Sequence, residues 1–178
     1  MTDTTMFARH RAALVVIDVQ DGFRSYDTFA EIARQCGRMV EGATVLGVPV
    51  LATEQYPKGL KHTAAEVGLP DDVAPVEKSV FSAVRADGFD LGGRDQVLIC
   101  GIETHVCVAQ TALDLLGRGI AVQIVTDAVG SRHAHDREIG LHRLDRAGAM
   151  LTTVEAALLE LCERAGTPEF KALQKVIM

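Results

Sequence analysis

Three residues set far apart in the chain have the types and settings for acyl transfer. Asp18 ends the apolar run in VVIDVQDGF, Lys78 stands in EKSVFS, and Cys107 closes GIETHVC. A carboxylate at the end of a buried run is costly unless it is paired or has acid–base work to do. A thiol in the first turn of a helix meets the dipole and free N–H groups, which favour a thiolate. The same N–H groups can hold a developing oxyanion. A lysine beside both groups would favour their ionised forms and balance the charge of the site. Taken singly, Asp18 could be a helix cap or loop acid, and Lys78 an ordinary surface lysine.

The other cysteines and the histidines offer less. Cys36 lies on an apolar helix stripe, Cys100 inside a strand and Cys162 in a late helix, settings in which a free cysteine packs as a small hydrophobe. His105 invites a Cys-His dyad. Residues two apart on a helix diverge by about 200°, however, which makes His105 an exposed first-turn residue and leaves Asp18 as the base for Cys107. His133, His135 and His142 lack a recognised ligand spacing and read as solvated helix positions, so no metal is expected. Asparagine is absent, which excludes both N-glycosylation sequons and a Cys-His-Asn triad. No CxxC, GxGxxG or GxxxxGK[ST] occurs, so zinc-ribbon, thioredoxin-type and nucleotide-binding readings lack support.

These side chains need elements to position them. Ala12–Ile17, Val48–Ala52, Val97–Cys100 and Ile120–Val125 are continuous apolar runs, the pattern of strands covered on both faces. Weaker runs around Val76 and from Ala149 to Thr152 complete six. Between them, Phe29, Ile32, Ala33, Cys36, Met39, Val40, Ala43 and Leu46 form one helical stripe, ended by Gly47. Further helices are predicted over 104–117, 132–147, 154–164 and 168–177, the last opened by Thr167-Pro168. Phe170, Leu173, Val176 and Ile177 on that last helix could serve an oligomer or finish the monomer's own core. Such alternation implies right-handed crossovers and a three-layer α/β/α sandwich. The irregular stretch 53–75 is long enough to be an active-site cover or a surface excursion.

The chain has 178 residues, 48% hydrophobic and 24% charged, which fits one domain spanning 1–178 with a full core. Eighteen Lys and Arg against 24 Asp and Glu give a formal charge of −6, a surface that repels phosphate backbones, so no nucleic-acid partner is expected. There is no membrane-length apolar run, and MTDTTMFARHR lacks a signal-type apolar segment. A reduced, cytoplasmic protein is the expectation.

DVQDGF, EKSVFS and GIETHVC, taken together, resemble the isochorismatase-like cysteine hydrolase superfamily, and the order and spacing of Asp18, Lys78 and Cys107 match its catalytic triad. LATEQYPKGL, CGIETHVCVAQTALDLLGRG and PEFKALQKVI are most similar to its isochorismatase-domain-containing members. The resemblance implies a six-stranded parallel sheet in the order 3-2-1-4-5-6 and a cis peptide between Ile102 and Glu103. It also implies an oxyanion hole from the Glu103 and Cys107 N–H groups, and a homo-oligomer. Phe23 matches a pocket-wall aromatic, and Gln20, Glu54, Tyr56 and Phe81 are the further expected pocket residues. Nicotinamidases of the superfamily carry metal-binding Asp and His after the second strand. Here that stretch reads Thr53-Glu54-Gln55-Tyr56-Pro57, with only His62 further on, so neither a metal nor another cofactor is expected.

The resulting expectation is a hydrolase of a small amide-like or imide-like C–N bond, working through a Cys107 thioester. Two alternatives stay open. One is ether cleavage of an isochorismate-like acid, for which Lys58, Lys61 and Lys78 are the available cations. The other is a non-catalytic binding or redox-sensing protein that keeps an activated thiol.

Overall fold

A computed structural model describes residues 6–178. Its strands are β1 (Ala12–Ile17), β2 (Val50–Gln55), β3 (Val76–Lys78), β4 (Gln96–Ile102), β5 (Ala121–Gly130) and β6 (Met150–Thr152). They form one all-parallel sheet in the order β3-β2-β1-β4-β5-β6. The helices are α1 (Phe29–Leu46), α2 (Pro57–Leu60), α3 (Ala109–Gly117), α4 (Ala134–Arg146), α5 (Val154–Cys162) and α6 (Pro168–Ile177).

Strand alternation divides the core in two. Leu14, Val16, Leu98 and Cys100 point to the face covered by α1, α5 and α6, whereas Val15, Ile17, Val97 and Ile99 point to the face covered by α3 and α4. All six residues of β1 are buried, which is why that run needs no polar alternation. The helix ends follow local chemistry. Gly47 closes α1 with φ +67°, and Thr153 and Thr167 accept N–H groups at the starts of α5 and α6.

Several boundaries differ from the sequence pattern. β2 runs on through Thr53, Glu54 and Gln55, because strand-end polar groups find partners there and need no apolar character. β5 runs to Gly130 by re-registering around a bulge opposite Ile99–Gly101 of β4. The stretch expected as one helix over 104–117 opens with a π-helical turn, Thr104–Val108, before α3. The last helix finishes the monomer's core, since Leu173 and Val176 are buried against α1 and α5. Among the described residues no helix is long and apolar enough to cross a membrane.

The chain leaves β1 toward β2 and β3 on one side and returns as β4 on the other. The carboxyl ends of β1 and β4 therefore flank the switch in strand order, where open α/β sheets bind ligands.

Candidate active site

Asp18 is the residue after β1, with φ +50° and no exposed surface. Its N–H donates to Thr53 O (3.2 Å), and its Oδ1 accepts from the Thr53 hydroxyl at 2.6 Å. Its Oδ2 accepts from Lys78 Nζ at 2.7 Å, in an ion pair with both side chains wholly buried. Lys78, the last residue of β3, also donates to Gln55 Oε1 (2.7 Å), Phe81 O (3.1 Å) and Val80 O (3.4 Å). An ammonium has three N–H donors, so these acceptors leave it no unmet valence. A buried ion pair is tolerated only when its remaining polar atoms are satisfied in this way.

Cys107 arrives from β4 through a constrained turn. Gly101 has φ +123°, and a Cβ there would collide with the backbone of Ile17, so only glycine lets β4 lie this close to β1. The Ile102–Glu103 peptide is cis. Glu103 O then accepts from the N–H groups of Val106 (3.1 Å) and Val108 (3.2 Å), the second closing the π-type ring. Wide turns of this kind occur preferentially at functional sites. The Cys107 side chain is brought to Asp18 and Lys78, with 6% of the residue exposed.

The expected thiolate is corrected by this setting. Burial and the Asp18 charge push the Cys107 thiol up to about 12, and Lys78 opposes them only in part. At rest the sulfur holds its proton beside a carboxylate able to accept it. A transient thiolate, formed as the carboxylate takes the proton, is the species this arrangement can deliver to an electrophile.

Cys36, Cys100 and Cys162 are buried in the core. Cys36 donates to Ala128 O (3.3 Å), and burial raises its thiol well above the ordinary range. His105 is not the exposed residue expected. It is half-buried, with Nδ1 3.0 Å from the Ser131 hydroxyl, because α4 packs over the π turn. Its ring is nonetheless engaged away from Cys107. His133, His135 and His142 are exposed. Among the described residues no three His, Cys, Asp or Glu side chains cluster as metal ligands.

The expected pocket residues fall into two groups. Phe23 is partly buried with its ring 5.3 Å from that of Tyr26, and Tyr56 and Phe81 are 59% and 51% exposed. Gln20 and Glu54 are buried and spend their polar atoms on the chain itself. The Gln20 amide bonds Gln55 N (2.8 Å), Gln55 O (3.1 Å) and Lys61 O (2.7 Å). Glu54 accepts from Thr63 N (2.6 Å) and Thr63 Oγ1 (2.8 Å), and its Oε2 lies 3.0 Å from His62 Nδ1. These two residues hold segment 61–63 in place. Thr53 and Gln55 escaped the sequence reading, although their place at the carboxyl end of β2 was a usable signal. A recess of about 280 Å³ adjoins Lys78, lined by Tyr56, Pro57, Lys58, Glu77 and Ser79. A larger cavity of about 880 Å³ lies remote from these groups, between α1 and residues 66–70.

Comparison with known proteins places the chain in a family. The isochorismatase domain family model matches residues 12–156. Isochorismatase domain-containing protein 2A of Mus musculus is 45% identical over 168 residues, covering 92% of this chain and 81% of the relative. The structure of the MAR1 ribonuclease from Caenorhabditis elegans superposes with a TM-score of 0.90 at 39% identity, over 97% of this chain and 92% of that one. Pyrazinamidase of Pyrococcus horikoshii, solved in complex with zinc, shares the fold at 23% identity, with a TM-score of 0.69 over 80% of this chain and 99% of its own. With the family model spanning most of its length and a relative this similar, the chain belongs to the isochorismatase family.

Proposed function

We propose that this protein is a cysteine hydrolase of small, uncharged amide-like or imide-like molecules. The observation that carries the reading is the fully buried Asp18–Lys78 pair to which the Cys107 side chain is brought, while the His105 ring is engaged by Ser131 instead. Asp18 takes the thiol proton as the sulfur attacks the carbonyl carbon. The N–H groups of Glu103 and Cys107 hold the oxyanion, each donor worth about 3–4 kcal/mol. The C–N bond then breaks, Asp18 returns the proton to the departing nitrogen, and a thioester remains on Cys107. Water adds to the thioester with Asp18 as base and releases the acid and the free thiol.

The substrate class follows from Lys78. Its N–H groups are taken by Asp18, Gln55 and the carbonyls of Val80 and Phe81, which leaves it unavailable to a substrate carboxylate. The exposed rings of Tyr56 and Phe81, on the segments flanking Lys78, suit an uncharged planar group. The Caenorhabditis elegans relative is named a ribonuclease, but a formal charge of −6 disfavours a polyanionic substrate here.

The test is intact-mass detection of an acyl adduct on Cys107 after incubation with an amide panel and a metabolite extract. Adduct formation in the wild type, with turnover abolished in Cys107→Ala, is expected. Full turnover by Cys107→Ala with none by Asp18→Ala would instead favour ether cleavage. A labelled but never acylated thiol would favour a sensor.

A further inference from the structure

The π turn that carries Cys107 is fastened to the β5–α4 junction by two ties from alternate residues. β4 and β5 stay paired to their ends, Ile102 opposite Gly130, so Glu103 and Ser131 leave the sheet side by side. Glu103 Oε1 accepts from the Arg132 N–H at 3.0 Å, and His105 Nδ1 lies 3.0 Å from the Ser131 hydroxyl. Either histidine tautomer completes the second bond, since a hydroxyl can donate or accept. Behind the turn, α4 approaches so closely that a Cβ on Gly140 would stand 3.0 Å from His105 Cα and 3.2 Å from Thr104 C. The end of β5 is held in turn by Arg137, which donates to Val129 O at 3.0 Å and to Thr126 O.

Ser131, His105 and Asp136 have the residue types of a second nucleophilic triad, but the geometry denies them that role. Ser131 is only 6% exposed, and His105 Nε2 lies 3.9 Å from Asp136 Oδ2, too far for a hydrogen bond. What the ring does is fix the backbone on which it sits. His105 lies between Glu103 and Cys107, the two residues whose N–H groups would meet the oxyanion. A donor displaced by a fraction of an ångström loses much of its worth.

We propose that His105 is a positioning residue, whose bond to Ser131 keeps the Glu103 and Cys107 N–H groups aimed at one point. The inference rests on the thioester reading for its catalytic consequence, while the tie itself can be measured without a substrate. The test compares wild type with His105→Ala, His105→Asn and Ser131→Ala, using two probes of Cys107. p-Nitrophenyl acetate acylates the thiol through an oxyanion: the S–C bond forms, p-nitrophenolate departs and Asp18 takes the thiol proton. Iodoacetamide alkylates the same sulfur once its proton is lost to solvent: the S–C bond forms and iodide departs, with no oxyanion formed.

His105→Ala and Ser131→Ala are expected to slow acylation at least tenfold while alkylation stays within twofold of wild type. His105→Asn, whose amide can stand near the Nδ1 position, restores most of the rate. Amide hydrogen exchange over residues 103–108 is expected to quicken at least tenfold in His105→Ala. Unchanged exchange there overturns the proposal whatever the acylation shows, as does an equal fall in acylation and alkylation. Quickened exchange in the variant, with a wild type that is never acylated at Cys107, upholds the tie and overturns the hydrolase reading instead.

Discussion

The thiol of Cys107 faces the carboxylate of Asp18, and that negative charge, added to burial, holds the thiol protonated with a pKa of about 12. The same carboxylate is the group placed to take the proton. Suppression of the thiolate at rest and acceptance of its proton during attack therefore reside in one residue.

Replacing Asp18 with Asn separates the two effects. The Asn variant removes the charge that opposes the thiolate and leaves Lys78 to favour it. The Cys107 pKa is expected to fall from about 12 by about one unit or more, which makes iodoacetamide labelling about tenfold faster at every pH well below it. Turnover of any amide substrate is expected to be lost, because no group remains to return the proton. Labelling rates measured from pH 6 to 10, with each modified cysteine assigned by mass, check this. Slower labelling in the Asn variant would sink the account.

Lys78 neutralises a carboxylate that has no access to water. Lys78→Met leaves Asp18 buried without its ion-pair partner, a change that costs about 3–5 kcal/mol in comparable buried pairs. Urea unfolding monitored by circular dichroism reads the loss directly. Asp18→Asn/Lys78→Met is expected to recover part of it, because both charges are then gone. A single variant as stable as wild type would contradict the burial.

The Glu54–His62 contact makes segment 61–63 sensitive to pH. Burial opposes ionisation of Glu54, but the Thr63 N–H, His62 and the Thr63 hydroxyl outweigh it, so its pKa lies below the ordinary 4.5. The hydrogen bond to Glu54 raises His62 above the ordinary 6.5. A raised histidine stabilises fully below its unfolded value and loses that contribution as pH climbs through its folded value. A depressed carboxylate stabilises above its unfolded value and loses it as pH drops through its folded value. The contact is therefore strongest between about pH 4.5 and 6.5 and weakens on both sides. Amide exchange at Thr63, corrected for intrinsic rates, is expected to be slowest in that window. His62→Ala is expected to flatten the alkaline side and to weaken the acid side, where only the Thr63 N–H and hydroxyl still favour the Glu54 carboxylate.

Much of this molecule is legible in its residues. Continuous apolar runs such as Ala12–Ile17, set between helical stripes, require a sheet covered on both faces, and Gly47 and Thr167 mark helix ends by their own backbone chemistry. Asp18, Lys78 and Cys107 were each visible as polar or nucleophilic groups at the ends of such runs. The polar end of β2 was harder to see. Thr53, Glu54 and Gln55 join the sheet because their side chains find partners in Asp18, Thr63 and Lys78, each at least nine residues away in sequence.

The charge state of the thiol could not be read locally at all. A cysteine in the first turn of a helix, taken from the sequence, is a thiolate candidate. In the fold it is a buried thiol beside an anion, and burial together with the Asp18 charge reverses the local preference. His105 repeats the lesson, since its ring turns to Ser131 only because β5 and α4 lie beside the π turn. Residue types and apolar runs say which groups are available and which strand ends carry them. Which of them share a dry space depends on contacts between distant segments, and there distance and lost hydration set the chemistry.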